Sequence, residues 1–381
     1  MDVNGQRFVS GLRECFIELK DPRVQGRCDH LLIDVLSIAI LAVMCGAEDW
    51  TDIETFGQRR MEWLRKFLLL PNGIPSHDTF RRVFGMLDRK QFSTCLFTWT
   101  QALHEATGGK VIAIDGKTAR RSFNKKSGLK ALHLVTAWAT EAGLTLGQVA
   151  CEEKSNEITA IPELLKLLNL KGSTVTIDAM GCQTEIAAQI RDQKGHYVLA
   201  LKGNQSGLQE EMQELMDQAV DHDFADLNYD VYETNEKGHG REEKRVCQVI
   251  EVPADHPQRS RWKDLCTLVI MTCCRVVGDK ETCETRLYIS SHKPKAKALG
   301  QAIRRHWSIE NTQHWSLDVT FGEDVRRQQD RHGAANLASV RRLALSLLRQ
   351  EKTNKRGVKN KRLVCALDPD YLLKVLANAQ F

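Results

Sequence analysis

The sequence predicts a mixed α/β protein: a mixed sheet flanked by helices, with a helical region before it and a β-rich segment inserted into it. Three observations predict it. Helical periodicity fills the first hundred residues; short apolar runs alternate with helical segments from Val111 to Lys202; and strand-like runs without long intervening helices follow to about Pro294. With 381 residues, 42% hydrophobic and 27% charged, the chain can build two or three domains with real cores. It holds no low-complexity tract, which excludes the disordered classes.

In the first region, the apolar run Leu31 to Cys45 is too short to span a bilayer and contains Asp34, so it reads as a buried helix. Thr51 to Leu70 forms another helix, and LPNGIP breaks the chain at Leu70 to Pro75. Ser76 then caps a helix reading HDTFRRVFGML, with Asp78 in its first turn. Arg81 and Arg82 on that helix fit either a helix-turn-helix reader of DNA or an ordinary amphipathic helix with a charged face.

From Val111 the order is β-β-β-α-β-α-β. VIAID, HLVTAWAT and LTLGQVACEE form a meander, and TVTIDAM and HYVLALK are strands separated by the helix EIAAQIRDQ. Strand–helix–strand units of this length imply parallel pairing added to an antiparallel meander. A polar helix (Leu208 to Val220) and four strand-like segments follow, then a helix from Lys297 to Leu317 and another from Ala334 to Gln350. The predicted segments are 1–105 (helical), 106–206 with 296–350 (the sheet-bearing core), 207–295 (the insertion) and 351–381 (a basic C-terminal stretch).

The net charge of +5 is unevenly placed, with twelve Lys/Arg against two acidic residues between Arg326 and Arg362. Such a block reads as a nucleic-acid-facing surface or as a solvated helix face. Twelve cysteines are scattered without a CxxC pair, and the first residues lack a basic-then-apolar signal pattern. Reduced thiols in the cytoplasm are the expectation, in preference to a zinc site among Cys266, Cys273, Cys274 and Cys283.

Chemistry concentrates where strands end in acids. In KVIAIDGKTARR, Asp115 ends an apolar strand and meets Gly116-Lys117-Thr118. A Walker phosphate loop would need glycine at position 111, where Val stands, so that reading fails. Asp178 ends TVTID in the same manner. Each acid alone reads equally as a turn cap. If their strands are neighbours, the two carboxylates meet at one sheet edge, where repulsion is relieved by hard divalent cations, Mg²⁺ or Mn²⁺. Glu310, in RRHWSIENTQHW, is the best third ligand; Asp318, Glu323 and Asp324 are rivals on the same segment. His306, Glu310 and His314 are spaced to share one helix face, but they lack the HExxH spacing of a zinc site.

IAIDGKTARRS, TIDAMGCQ, YVLALKGNQ and RRHWSIENTQHWSLDVTFGED, in that order, resemble the DDE transposases of the ISAs insertion-sequence type, the group that includes the H-repeat-associated proteins. The resemblance covers nearly the whole chain, including a helical region similar to the family's transposase-associated domain. It implies an RNase H-like core with a β-rich insertion before the last acid, and Asp115, Asp178 and Glu310 as catalytic, metal-holding triad with two Mg²⁺ or Mn²⁺ ions. The implied activity is cleavage of DNA at insertion-sequence ends followed by strand transfer to target DNA. A catalytically retired, DNA-binding descendant is the alternative. One departure stands out: where related transposases place Tyr, Arg and Lys around the last acid, this chain has Ile303, His306 and Leu317.

DNA partners imply phosphate and base contacts. Lys117, Arg120 and Arg121 follow Asp115, and Lys202, Asn204 and Gln205 follow the last core strand. Arg305 or His306 is placed for phosphate clamping, and the turn His239-Gly240-Arg241 for a contact from the insertion. Trp307 fits either base stacking or core packing. The resemblance further implies a bacterial, nucleoid-associated protein acting in the cytoplasm as a homodimer or larger assembly on paired ends, away from membranes.

Overall fold

The structure is a computed structural model; it describes residues 3–107, 110–123, 128, 130–151, 156–225, 227–238, 240–325, 327–328 and 330–377. The helical region holds α1 (Val3–Cys15), α2 (Leu32–Met44), α3 (Trp50–Leu64), α4 (His77–Met86) and α5 (Arg89–Thr107). Then come β1 (Val111–Ala119), β2 (Leu132–Ala139), β3 (Leu144–Ala150), α6 (Glu157–Leu165), β4 (Thr174–Ile177), α7 (Thr184–Asp192) and β5 (His196–Ala200). The inserted segment supplies α8 (Ser206–Asp221), β6 (Tyr229–Gly238), β7 (Arg241–Glu251), α9 (Gln258–Arg261), β8 (Thr267–Val277) and β9 (Lys280–Ser290). After it run α10 (Ala296–His306), a π-helical turn (Ile309–His314), α11 (Trp315–Val319), α12 (Arg331–Gln350), α13 (Val358–Leu367) and α14 (Pro369–Ala377). No helix among the described residues is long and apolar enough to cross a membrane.

Among the described residues the strands form one sheet in the order β3-β2-β1-β4-β5-β9-β8-β7-β6. β2 and β3 pair antiparallel, whereas β1, β4 and β5 pair parallel. The order β3-β2-β1-β4-β5 is that of an RNase H-like core, as the resemblance implied. Two compact units divide the chain: Met1–Gly109, Gly116–Asn156 and Ile309–Phe381 form one, Lys110–Asp115 and Glu157–Ser308 the other. β1 contributes residues to both.

In the first unit, α2 is buried along most of its length because its sequence is apolar all round. Asp49 caps α3, Ser76 caps α4 as its sequence predicted, and Asp330 caps α12 by accepting from Gly333 N at 3.0 Å. α12 packs against α2, α4, α5 and β3. Phe8, Leu12, Ile38, Phe84, Leu343 and Leu376 belong to a single core, so the two ends of the chain fold together rather than as separate segments.

That burial corrects the reading of the basic stretch. Arg362 donates to the carbonyls of Val43 at 2.8 Å and of Thr320, Arg341 to Glu48 O at 2.7 Å, and Lys361 to Leu348 O at 3.0 Å. Burial pushes the Arg362 guanidinium down to about 10. Together with Arg342 these cations tie helices together instead of facing a polyanion. Val43, Thr320 and Leu348 lie at helix C-terminal ends, whose carbonyls lack intrahelical partners, Glu48 precedes α3, and Arg342 meets the buried acid Glu323.

In the second unit, the inserted strands are not a separate layer. β9 pairs antiparallel with β5, Val198↔Ser290 to Ala200↔Tyr288, and β8, β7 and β6 continue the same sheet. This pairing covers what would otherwise be an open edge of β5. α10 lies on that sheet, with Leu299 and Ile303 packed among Val198, Val249 and Val269. Two further expectations change. Cys274 and Cys283 sit directly opposite each other on β8 and β9, Cα atoms 4.1 Å apart, and form a disulfide. Reduced thiols throughout, and zinc at this cluster, are therefore both set aside. The single helix expected from Lys297 to Leu317 is broken into α10, the π-helical turn and α11.

Candidate active site

β1 and β4 are hydrogen-bonded neighbours in parallel, in register from Val111↔Thr174 to Ile114↔Ile177. Asp115 and Asp178 each occupy the position after the last paired residue. The two acids thus lie on adjacent parallel strands, one residue past their shared ladder: Asp178 follows the last residue of β4, while β1 runs on beyond Asp115 to Ala119. The neighbourhood of the first and fourth strands, on which the sequence argument depended, is observed.

The turn after β4 is built around Asp178. Its Oδ1 accepts from Met180 N at 3.1 Å and Gly181 N at 3.4 Å, so the cap alternative is realised, but both bonds fall on one oxygen. Gly181 is required: an added Cβ would lie 2.4 Å from Ile177 Cγ2 and 2.8 Å from Ile161 Cδ1. Asn204 Nδ2 donates to Ala179 O at 2.7 Å, and Gln205 Nε2 to Cys182 O at 2.9 Å, lashing the loop after β5 to this turn. Burial raises the Asp178 carboxyl above its ordinary range, and the charge of Glu157 raises it further, with Lys202 acting the other way. Glu157, at the start of α6, escaped sequence reasoning because nothing in its spacing marks it.

His306 packs against β4. Its Nδ1 shares a hydrogen bond with Thr176 Oγ1 at 2.9 Å. Thr176 and Asp178 point to the same face of β4. Burial pushes the imidazole down to about 4, so it is neutral at physiological pH and carries no charge for a phosphate. Glu310 is exposed on the π-helical turn, flanked by buried Ile309 and Gln313. Gln313 Nε2 anchors that turn by donating to Thr145 Oγ1 at 2.8 Å. With α10 ended at His306, a common helical face for His306, Glu310 and His314 is not formed, since a π turn does not keep the i, i+4 spacing.

The cations chosen from sequence divide into two groups. Lys117 is buried, with Nζ 2.7 Å from Asp318, 3.3 Å from Glu323 and 3.4 Å from Asp324. Those three rivals of Glu310 are thereby engaged; Arg342 binds Glu323 at 2.7 Å, and Arg120 Nε lies 3.3 Å from Asp324. Arg241 sits 3.1 Å from Glu243, which also meets Arg245 and Arg275. His239 lies outside the described residues. Exposed cations include Lys202, Arg121, Arg305 and Arg82, with Arg81 held by Asp78 at 3.0 Å. Trp307 is 36% exposed and Arg286 covers its ring, 4.7 Å from the centroid, so it is not a core residue. Arg304, beside Arg305 on α10, pairs with Glu236 at 2.6 Å.

Fold and strand register define a mixed α/β protein with an acid on each of two adjacent parallel strands, one residue past their shared ladder. The model of the "Transposase DDE domain" matches residues 106–347, and that of the "DDE_Tnp_1-associated" region matches residues 13–100. The chain belongs to the DDE transposase family. It is 42% identical over 374 residues to "Putative transposase YncI" of Escherichia coli O157:H7, covering 97% of this chain and 95% of that one. It is 38% identical over 369 residues to "H repeat-associated putative transposase YhhI" of Escherichia coli (strain K12), covering 95% and 96%. Among solved structures, a piggyBac transposase synaptic complex with hairpin DNA matches at 11% identity and a TM-score of 0.41, over 97% of this chain and 79% of that one; a likeness that weak carries no weight.

Proposed function

We propose that this transposase cuts DNA at the ends of an insertion sequence and joins the freed ends to target DNA. Asp115, Asp178 and Glu310 would hold two divalent metal ions. The observation that supports the reading is the parallel register of β1 and β4, which puts Asp115 and Asp178 each one residue past the last pair, Ile114↔Ile177. The donor set fits Mg²⁺ or Mn²⁺: hard oxygen ligands, with Asp178 shifted upward by burial and a neighbouring carboxylate, a penalty that a divalent cation relieves. When bound, such ions supply Lewis-acid activation of water or a 3′-hydroxyl and charge stabilisation at the leaving oxygen.

The chain's own groups orient the ligands. Gly181 and Asn204 fix the turn that aims Asp178, and His306 supports the floor of β4 as a neutral hydrogen-bond partner. Exposed Lys202, Arg121 and Arg305 are placed in loops and helix ends suited to phosphates, and Trp307 to an unpaired base. Arg81 and Arg82 on α4 supply a cationic helix face for end recognition, and Arg120 and Arg241 are exposed despite their acidic neighbours. Two ends must be handled together, so a homodimer or larger assembly on DNA is the working unit.

The test is incubation of purified protein with DNA carrying the inverted repeats that flank its coding region, plus Mg²⁺. Cleavage followed by joining is expected, and Asp115→Ala, Asp178→Ala or Glu310→Ala should each abolish cleavage while sparing binding. Binding without cleavage by the unaltered protein would favour the retired DNA-binding alternative. Retained cleavage in a variant would remove that residue from the triad.

A further inference from the structure

The sequence places Lys117 among phosphate clamps because it follows Asp115 by two residues. The structure gives it another task. Its ammonium is 8% exposed and is bracketed by Asp318 Oδ1 at 2.7 Å, Glu323 Oε2 at 3.3 Å and Asp324 Oδ1 at 3.4 Å. Three carboxylates thus surround one ammonium within ion-pair distance, and the ammonium donates a hydrogen bond to Asp324 Oδ1. Arg342 takes the opposite oxygen of Glu323 at 2.7 Å, and the backbone N–H of Arg120 donates to Asp324 Oδ1 at 3.0 Å. The acids therefore close on β1 from side chain and backbone together.

Lys117 lies on the same strand as Asp115 and, two residues along, on the same face. Its partner Asp318 sits on α11, which continues directly from the turn that carries Glu310. We propose that Lys117 is a positioning residue for the metal-dependent reaction: its buried ion pairs with Asp318, Glu323 and Asp324 hold the part of β1 that follows Asp115 against the segment that follows Glu310. It makes no phosphate contact. This rests on the reading of Asp115 as a metal ligand.

The test compares unaltered protein with Lys117→Met, Lys117→Arg, Asp318→Asn and Asp115→Asn. Three quantities are read: Mn²⁺ affinity by calorimetry, affinity for terminal-repeat DNA across a salt series without metal, and melting temperature. Lys117→Met should weaken Mn²⁺ binding by ~10–100-fold, the usual cost of losing a group that orients a ligand. Its DNA affinity and salt slope should stay unchanged, and Lys117→Arg should restore part of the metal affinity. Should Lys117→Met fail to fold, Asp318→Asn, which leaves the ammonium two carboxylates, must show a smaller loss in the same direction. Weaker DNA binding with a slope reduced by about one ion, or unchanged Mn²⁺ affinity in the folded variants, would overturn the proposal. Asp115→Asn separates the layers: if it binds Mn²⁺ as tightly as the unaltered protein, the metal-ligand reading itself fails, whatever Lys117 does.

Discussion

Two acidic groupings in this protein look alike in sequence and differ in physics. Asp318, Glu323 and Asp324 come with their cations built in. Burial by itself would raise Glu323, yet Arg342, Lys117 and Arg341 outweigh it and hold the carboxyl at about 2. Asp178 shows the reverse: burial and Glu157 raise it, and the opposing contributions of backbone N–H groups and Lys202 do not cancel the shift. Within the first grouping compensation is complete at Glu323, whereas burial still raises Asp318 in spite of the Lys117 ammonium beside it. At Asp178 the nearby Lys202 does not offset burial, a demand that the proposed divalent cation would meet.

The largest effect should come from breaking the compensated grouping. Arg342→Met strands Glu323 in the interior, and loss of one partner of a buried pair costs ~3–5 kcal/mol. Denaturant unfolding measures this directly. The same unfolding, with no shift in midpoint, would mean that Lys117 alone neutralises Glu323 and that the grouping is over-determined.

A smaller effect, on pH, sharpens the contrast. His306 sits at about 4 in the folded chain against an ordinary value near 6.5. Between those values the unfolded chain binds more protons, so the contribution is complete above about 6.5 and is lost as pH falls to about 4. His292, also at about 4, titrates in the same window. Glu323 behaves differently: its stabilisation persists through that window and is lost only as pH falls from its ordinary 4.5 towards 2. A melting profile should show two separate acid losses, and His306→Asn should flatten only the upper one. A single loss below pH 4.5, unaltered by that substitution, would show that His306 is not held neutral under β4.

Much of the fold was legible because local signals agreed. The apolar run of α2, the Ser76 cap and the strand–helix alternation from β1 to β5 each follow from residue types and spacing. So did the adjacency of β1 and β4, whose parallel register places Asp115 and Asp178 one residue past their ladder. What could not be read is the set of partners distant in sequence. Nothing near Lys117 announces Asp318, 201 positions away, and nothing near Arg362 announces the carbonyl of Val43. Charge counted along the chain therefore overstated the DNA-facing surface, because four of the twelve cations between Arg326 and Arg362 are interior. The β5–β9 pairing and the cross-strand disulfide were hidden for the same reason: strand register is decided by tertiary contacts, not by composition.

Calorimetric titration of Mn²⁺ into the protein and into Asp178→Asn, with melting temperatures recorded alongside, tests the central claim most directly. The account predicts clear binding by the unaltered chain and at least a ~10-fold loss in the variant with its fold intact. Equal binding by the two proteins would contradict it.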